Sequence, residues 1–172
     1  MEIRIHPESP EDFDAIDDLL DEAFVFDSHS RHNEAKVVRT LREKGQLTLS
    51  LVAIHDSGER VGHIAFSPVH IDDGSTQGLS GWVGLGPMAV LPRLQRRGIG
   101  RKLIERGLAD IQALDIPGCV VLGEPGFYQQ FGFNTHPELI LPGALAPFFL
   151  AQSFQGKVPT GQVAYLPAFH DA

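Results

Sequence analysis

The chain has 172 residues, enough for one sizeable core, since a domain near this size buries roughly 70% of the surface its unfolded form exposes. Its net charge of -8, from 22 Asp and Glu against 14 Lys and Arg, excludes bulk nucleic-acid binding through phosphate neutralisation, so an anion site must be local. The single cysteine, Cys119, lies in an apolar run; a disulfide framework and a clustered thiolate metal site are excluded, and a reducing compartment fits.

Met1 to His6 lacks the basic start and apolar stretch of a signal peptide, and no window approaches about 18 consecutive apolar residues. No repeat or linker divides the chain. The expectation is one cytoplasmic domain over residues 1–172 without a membrane partner.

Ile3 to Ile5 alternates about Arg4 as a first strand. Ser9-Pro10-Glu11-Asp12 then combines an N-cap serine, proline at N1 and an acid at N3, and Phe13, Ile16, Leu19, Leu20, Ala23 and Phe24 recur at helical spacing through about Phe26. A second helix is predicted over Glu34 to Lys44, with Val37, Val38 and Leu41 inward and Gly45 as its stop. Leu47 to His55 and Arg60 to Val69 read as strands of a hairpin turned by Asp56-Ser57-Gly58-Glu59. A further strand, Leu79 to Leu91, ends at Pro92, and Gly98 to Leu114 carries Ile99, Leu103, Ile104, Leu108 and Ile111 at helical spacing.

Cys119 to Leu122 is short and apolar like a buried strand, and Pro125 to Phe131 has room for about two helical turns. Beyond Asn134, Pro137, Pro142 and Pro147 break any regular pattern. Residues 134–157 are therefore expected to be loop-rich with one short helix, and terminal strands are expected near Phe133 and over Gly161 to Leu166. The order defines a mixed α/β sheet.

Gln95-Arg96-Arg97-Gly98-Ile99-Gly100-Arg101 stands between a strand and an amphipathic helix. Glycines there permit close backbone approach, free amides sit at the positive end of the helix dipole, and Arg96, Arg97 and Arg101 add cations to an otherwise acidic chain, an arrangement suited to a pyrophosphate. Two better-known phosphate motifs do not fit. There is no GxxxxGK[ST] string, and Gly84 to Ala89 mimics a dinucleotide fingerprint only until Pro87 interrupts it. His29-Ser30-Arg31-His32 is an H-x-x-H string without the glutamate of a zinc site, so no metal is expected. The acidic residues of the first helix read as a solvated face.

Leu85-Gly86-Pro87-Met88-Ala89-Val90-Leu91-Pro92 followed by Gln95-Arg96-Arg97-Gly98-Ile99-Gly100 resembles the acetyl-CoA signature of the GNAT N-acetyltransferase superfamily, in its bacterial single-domain branch. Gly126-Phe127-Tyr128-Gln129-Gln130-Phe131-Gly132-Phe133 resembles the family's F-Y-x-x-hydrophobic-G-F segment. Together these motifs span residues 79–133; the stretch 134–172 matches loosely and would complete the sheet.

The resemblance implies a mixed, mostly antiparallel sheet with flanking helices, splayed between its fourth and fifth strands, with acetyl-CoA as cofactor. Backbone of Met88, Ala89 and Val90 would pair with the pantetheine arm, the turn Gln95 to Arg101 would hold the pyrophosphate, and Tyr128 would face the thioester sulfur. The expected reaction is acetyl transfer to a primary amine, on a small molecule or peptide, by direct attack in a ternary complex. Such chemistry needs a neutral amine, an oxyanion donor and a proton for the thiolate. The Met88 amide is the oxyanion candidate and Tyr128 the acid.

Leu79 to Leu91 holds no Asp or Glu, which leaves the base unassigned. Glu124, His63 and His70 are the nearest candidates, each more readily a turn or surface polar residue. The alternative reading is a non-catalytic acyl-CoA-binding or sensor module of the same fold. Pro147-Phe148-Phe149-Leu150 could line a pocket or a homodimer contact.

Overall fold

The computed structural model describes residues 1–171. Its sheet begins with β1 (Ile3–Pro7), antiparallel to β2 (Leu49–His55), which pairs antiparallel with β3 (Arg60–Asp72). The path continues through β4 (Val83–Val90), antiparallel to β3, and β5 (Gly118–Leu122), parallel to β4. The far end of β3, Val69 to Asp72, pairs with β8 (Gly161–Tyr165), which also pairs with the two-residue β6 (Leu139–Ile140). β7 (Phe149–Ser153) closes the other edge, antiparallel to β5.

Between β4 and β5 the pairing is brief. Val83, Gly84 and Leu85 face Cys119, Val120 and Val121, and no further pair follows. On its other side β4 changes register, with Leu85 opposite Phe66 and Met88 opposite Ile64, so Gly86 and Pro87 are fitted opposite a single residue of β3. A bulge of this kind bends its strand, and here it accompanies the departure of β4 from β5. This is the expected splay between the fourth and fifth strands.

Helices cover both faces. On one, α3 (Ile99–Ala113) sets Leu103, Ile104 and Ile111 against Ile64, Phe66, Leu85 and Val121. On the other, α1 (Phe13–Phe24) and α2 (Glu34–Glu43) bury Ile16, Leu20 and Val38 against Val52, Ile54 and Ala89. Farther along that second face, Val163 of β8 packs with Val69, Trp82, Val120 and Phe149. A full side chain of this size contributes about 1.5–3 kcal/mol on burial, so these apolar stripes dominate the fold. The short α4 (Pro125–Tyr128) follows β5, and α5 (Ala168–Asp171) docks on α2 through Ala168, Val37 and Leu41.

Several expected boundaries shift. The Ser9 signal opens a 3-10 turn, Pro10–Asp12, ahead of α1, and Asp12 reaches back to the Ser9 amide at 2.9 Å. The helix stops at Phe24, leaving Phe26 94% exposed. Phe133 is buried but forms no strand; its neighbour Asn134 makes a lone bridge to Ala151. The short helix expected in 134–157 is the 3-10 turn Ala146–Phe148, and β7 follows it directly.

Candidate active site

Helix α3 starts on Gly98, whose φ of 86° is left-handed, two residues after Arg96 at φ 65°. Only a residue without a β-carbon adopts the Gly98 geometry at little cost. The turn is anchored by Leu94 and Ile99, both buried in the α3-side core. The Gln95 side-chain amide donates to the Val90 carbonyl at 3.1 Å, tying the turn to β4.

The amide of Gln95 donates to Pro92, and the next amide with a backbone acceptor is that of Lys102, bonded to the Gly98 carbonyl at 3.1 Å. Among the described residues, the amides of Arg96 to Arg101 thus have no backbone partner. Successive unpaired amides around a left-handed residue, at the positive end of a fifteen-residue helix, form an anion-binding concavity.

A cleft of about 540 Å³ opens over this turn. Met88, Ala89 and Val90 form its β4 wall, Arg96 and Gly98 to Arg101 its floor, and Phe127 of α4 its far side. Of the residues expected to hold a cofactor, all but Arg97 line it. Arg97 is exposed beside it, as is Arg96. Arg101 is differently used: its guanidinium donates to Gln130 and Glu105 and lies 5.0 Å over the Phe131 ring, joining α3 to the turn after α4. Its guanidinium is thus already engaged, although the residue lines the cleft. Ala23 and Phe24 at the end of α1, and Asp27 three residues beyond it, also line the cleft.

Tyr128 stands one layer behind Phe127, 9% exposed, with the Phe127 and Phe133 rings edge-on at 5.1 and 6.0 Å. Burial, with Cys119 nearby, pushes its phenol up to about 12, so it carries its proton at neutral pH and can donate it.

The three base candidates fare differently from one another. His63 is no surface residue: it is fully buried, with Nε2 2.8 Å from Ser50 Oγ. Ser50 gives its proton to Glu8 Oε1 at 2.5 Å, so Nε2 is the donor toward Ser50, and the buried Nδ1 has no partner. Burial lowers the His63 pKa, outweighing the neighbouring Glu8. Burial also opposes ionisation of Glu8, but the nearby His63, with Nε2 3.9 Å away, and hydrogen bonds from Arg42 and Ser50 hold its carboxyl down at about 2. His63 is therefore a neutral structural member of this network. Glu124 is exposed and accepts the Phe127 and Tyr128 amides on its carbonyl, capping α4, while His70 is exposed on the far part of β3, opposite Ala164. None of the three lines the cleft. No group of metal-ligating side chains occurs among the described residues, His29 and His32 included, and no described helix is long and apolar enough to cross a membrane.

A parted β4–β5 pair with an amide-lined helix start beside the gap is the architecture of an acyltransferase of the GNAT class. Residues 47–135 match the family profile described as acetyltransferase (GNAT) domain. A protein of Escherichia coli K12 called uncharacterized N-acetyltransferase YhbS is 40% identical over 141 residues, covering 81% of this chain and 78% of its own. The crystal structure of YhbS from Escherichia coli in complex with CoA superposes with a TM-score of 0.87 at 35% identity, over 99% of this chain and 93% of that one. A GNAT family acetyltransferase from Brucella melitensis, in complex with acetyl-CoA, gives a TM-score of 0.85 at 40% identity, over 98% of each chain. The chain belongs to the GNAT acetyltransferase family. As a member it is an N-acetyltransferase.

Proposed function

We propose that the chain, as one domain, transfers the acetyl group of acetyl-CoA to a primary amine by direct attack in a ternary complex. The observation that carries this reading is the run of unpaired amides from Arg96 to Arg101 at the floor of the cleft. They receive the diphosphate, Arg96 and Arg97 add charge, and the β4 backbone at Met88 to Val90 pairs with the pantetheine arm. The complexes of the two relatives with CoA and acetyl-CoA support the same donor.

The amine nitrogen attacks the thioester carbon, and the carbonyl π electrons move to oxygen, where the Met88 amide stabilises the oxyanion. Collapse breaks the C–S bond, and Tyr128 gives its proton to the departing thiolate. The proton shed by nitrogen restores Tyr128 through solvent, so the reaction is proton-neutral overall. The acceptor is a small-molecule or peptide amine. We place the reaction in the cytoplasm, which the lone buried thiol Cys119 fits. In the Phe148-Phe149-Leu150 run, Phe149 and Leu150 are buried in the sheet, and Phe148 is the residue left exposed for a homodimer contact.

Acetyl-CoA mixed with the protein and an amine panel should release free CoA faster than either alone. Tight CoA binding without release for any amine would favour the non-catalytic binding module, a reading motivated by the absence of a carboxylate on β4.

A further inference from the structure

The chain has two tyrosines, and they stand on opposite faces of the sheet near the place where β4 and β5 part. Tyr128 belongs to the core under α3, whereas Tyr165, the last residue of β8, packs with the cluster of Val69, Trp82 and Val120 on the other face. The Tyr165 ring occupies space that any side chain on Gly84 would need: a β-carbon there would stand 2.6 Å from Cε1. Gly84 lies one residue before Leu85, where the pairing of β4 with β5 ends. Phe169 of α5 packs on the ring, with centroids 5.2 Å apart.

Leu122 shares this face. It is two residues beyond Val120 and opposite Phe149 of the same cluster, and it is 50% exposed just past the point where β4 leaves β5. Among the described residues no hydrogen bond uses the Tyr165 hydroxyl, and the residue is half-buried. Burial, with Cys119 and Tyr128 nearby, pushes the phenol up, so it is neutral and its oxygen can accept a hydrogen bond.

We propose that Tyr165 is the acceptor-side positioning residue: its oxygen accepts a hydrogen bond from the N–H of a primary amine whose apolar body rests on Leu122, aiming the nitrogen lone pair through the gap. This rests on the acetyl-transfer reading above, and it assigns the acceptor class as an amine on an alkyl or aryl chain.

Fluorotyrosine labelling gives one ¹⁹F signal for each tyrosine, assigned with Tyr128→Phe and Tyr165→Phe. In the CoA-loaded protein, phenethylamine should move the Tyr165 signal, and ethanolamine should do so more weakly. In turnover, Tyr165→Phe should raise the KM of phenethylamine about tenfold, the equivalent of one lost hydrogen bond, while acetyl-CoA affinity is unchanged. Tyr128→Phe should lower kcat and leave that KM alone. If wild type acetylates phenethylamine, yet its KM is unaltered in Tyr165→Phe and the Tyr165 signal stays fixed, the proposal is overturned and acetyl transfer stands. If wild type acetylates ethanolamine but neither binds nor acetylates phenethylamine, the apolar acceptor class is wrong. No CoA release with any amine overturns the acetyl-transfer reading, and this assignment with it.

Discussion

The Tyr128 ring rests on Gly123: a β-carbon at Gly123 would lie 2.5 Å from Tyr128 Cε2. Glycine at the end of β5 is thus what lets the phenol close over the strand, and the position of the proposed acid depends on it. Gly123→Ala should dislodge the ring, and Tyr128→Phe should remove only its proton. Both should lower kcat by about two orders of magnitude, the usual contribution of a general acid, with the acetyl-CoA dissociation constant unchanged by calorimetry. Because burial, with Cys119 nearby, pushes the Tyr128 phenol up to about 12, kcat should not fall between about pH 7 and pH 10 through its ionisation. Full activity in Tyr128→Phe would remove the residue from the mechanism.

Gly98→Asp sets a carboxylate against the amides assigned to the diphosphate and places a β-carbon at a φ of 86°. We expect calorimetry to detect no acetyl-CoA binding at concentrations that saturate wild type, with the circular dichroism spectrum retained. Arg97→Ala, which removes charge beside the cleft and leaves the amides in place, should weaken binding by about tenfold or less, and less again at high salt. Equal losses in the two variants would mean that side-chain charge rather than backbone holds the anion.

Stability should decline in acid in two stages. His63 has a folded pKa below its unfolded value, so the unfolded chain takes up its proton first, and this contribution, complete above about pH 6.5, is lost as pH falls below it. Glu8 follows, its contribution being lost between its ordinary value of 4.5 and about 2. His63→Gln should flatten the upper part of a Tm-against-pH curve. Glu8→Gln leaves Arg42 unpaired and should cost about 3 kcal/mol at neutral pH. A wild-type Tm constant from pH 7 to pH 4, measured by calorimetry, would contradict this network.

The parts of the fold legible in the sequence are those whose signal is local. The Gly98 to Arg101 turn, α2 with its Gly45 stop, and the β2–β3 hairpin each carry their turn chemistry beside their apolar period. β7 was illegible because Phe149, Leu150 and Ala151 follow Pro142 and Pro147, and only pairing with β5, some thirty residues earlier, makes a strand of them. β3 outruns its expected end at Val69 because its last residues pair with β8, about ninety residues later. The same logic hides Ala23, Phe24 and Asp27 from a reading of the site, since the fold alone carries the end of α1 and the chain just beyond it to the cleft. Asp27 is the only carboxylate among the cleft-lining residues. His63 reads as a surface histidine because its neighbours in sequence say nothing of Glu8, Ser50 and Arg42 closing over it.

A crystal structure of the acetyl-CoA complex measures the central claim directly. We predict diphosphate oxygens within about 3.2 Å of main-chain nitrogens between Arg96 and Arg101, and the thioester in the gap beyond Leu85 and Val121. Density for the diphosphate at any other surface, with those nitrogens facing only solvent, would contradict the account.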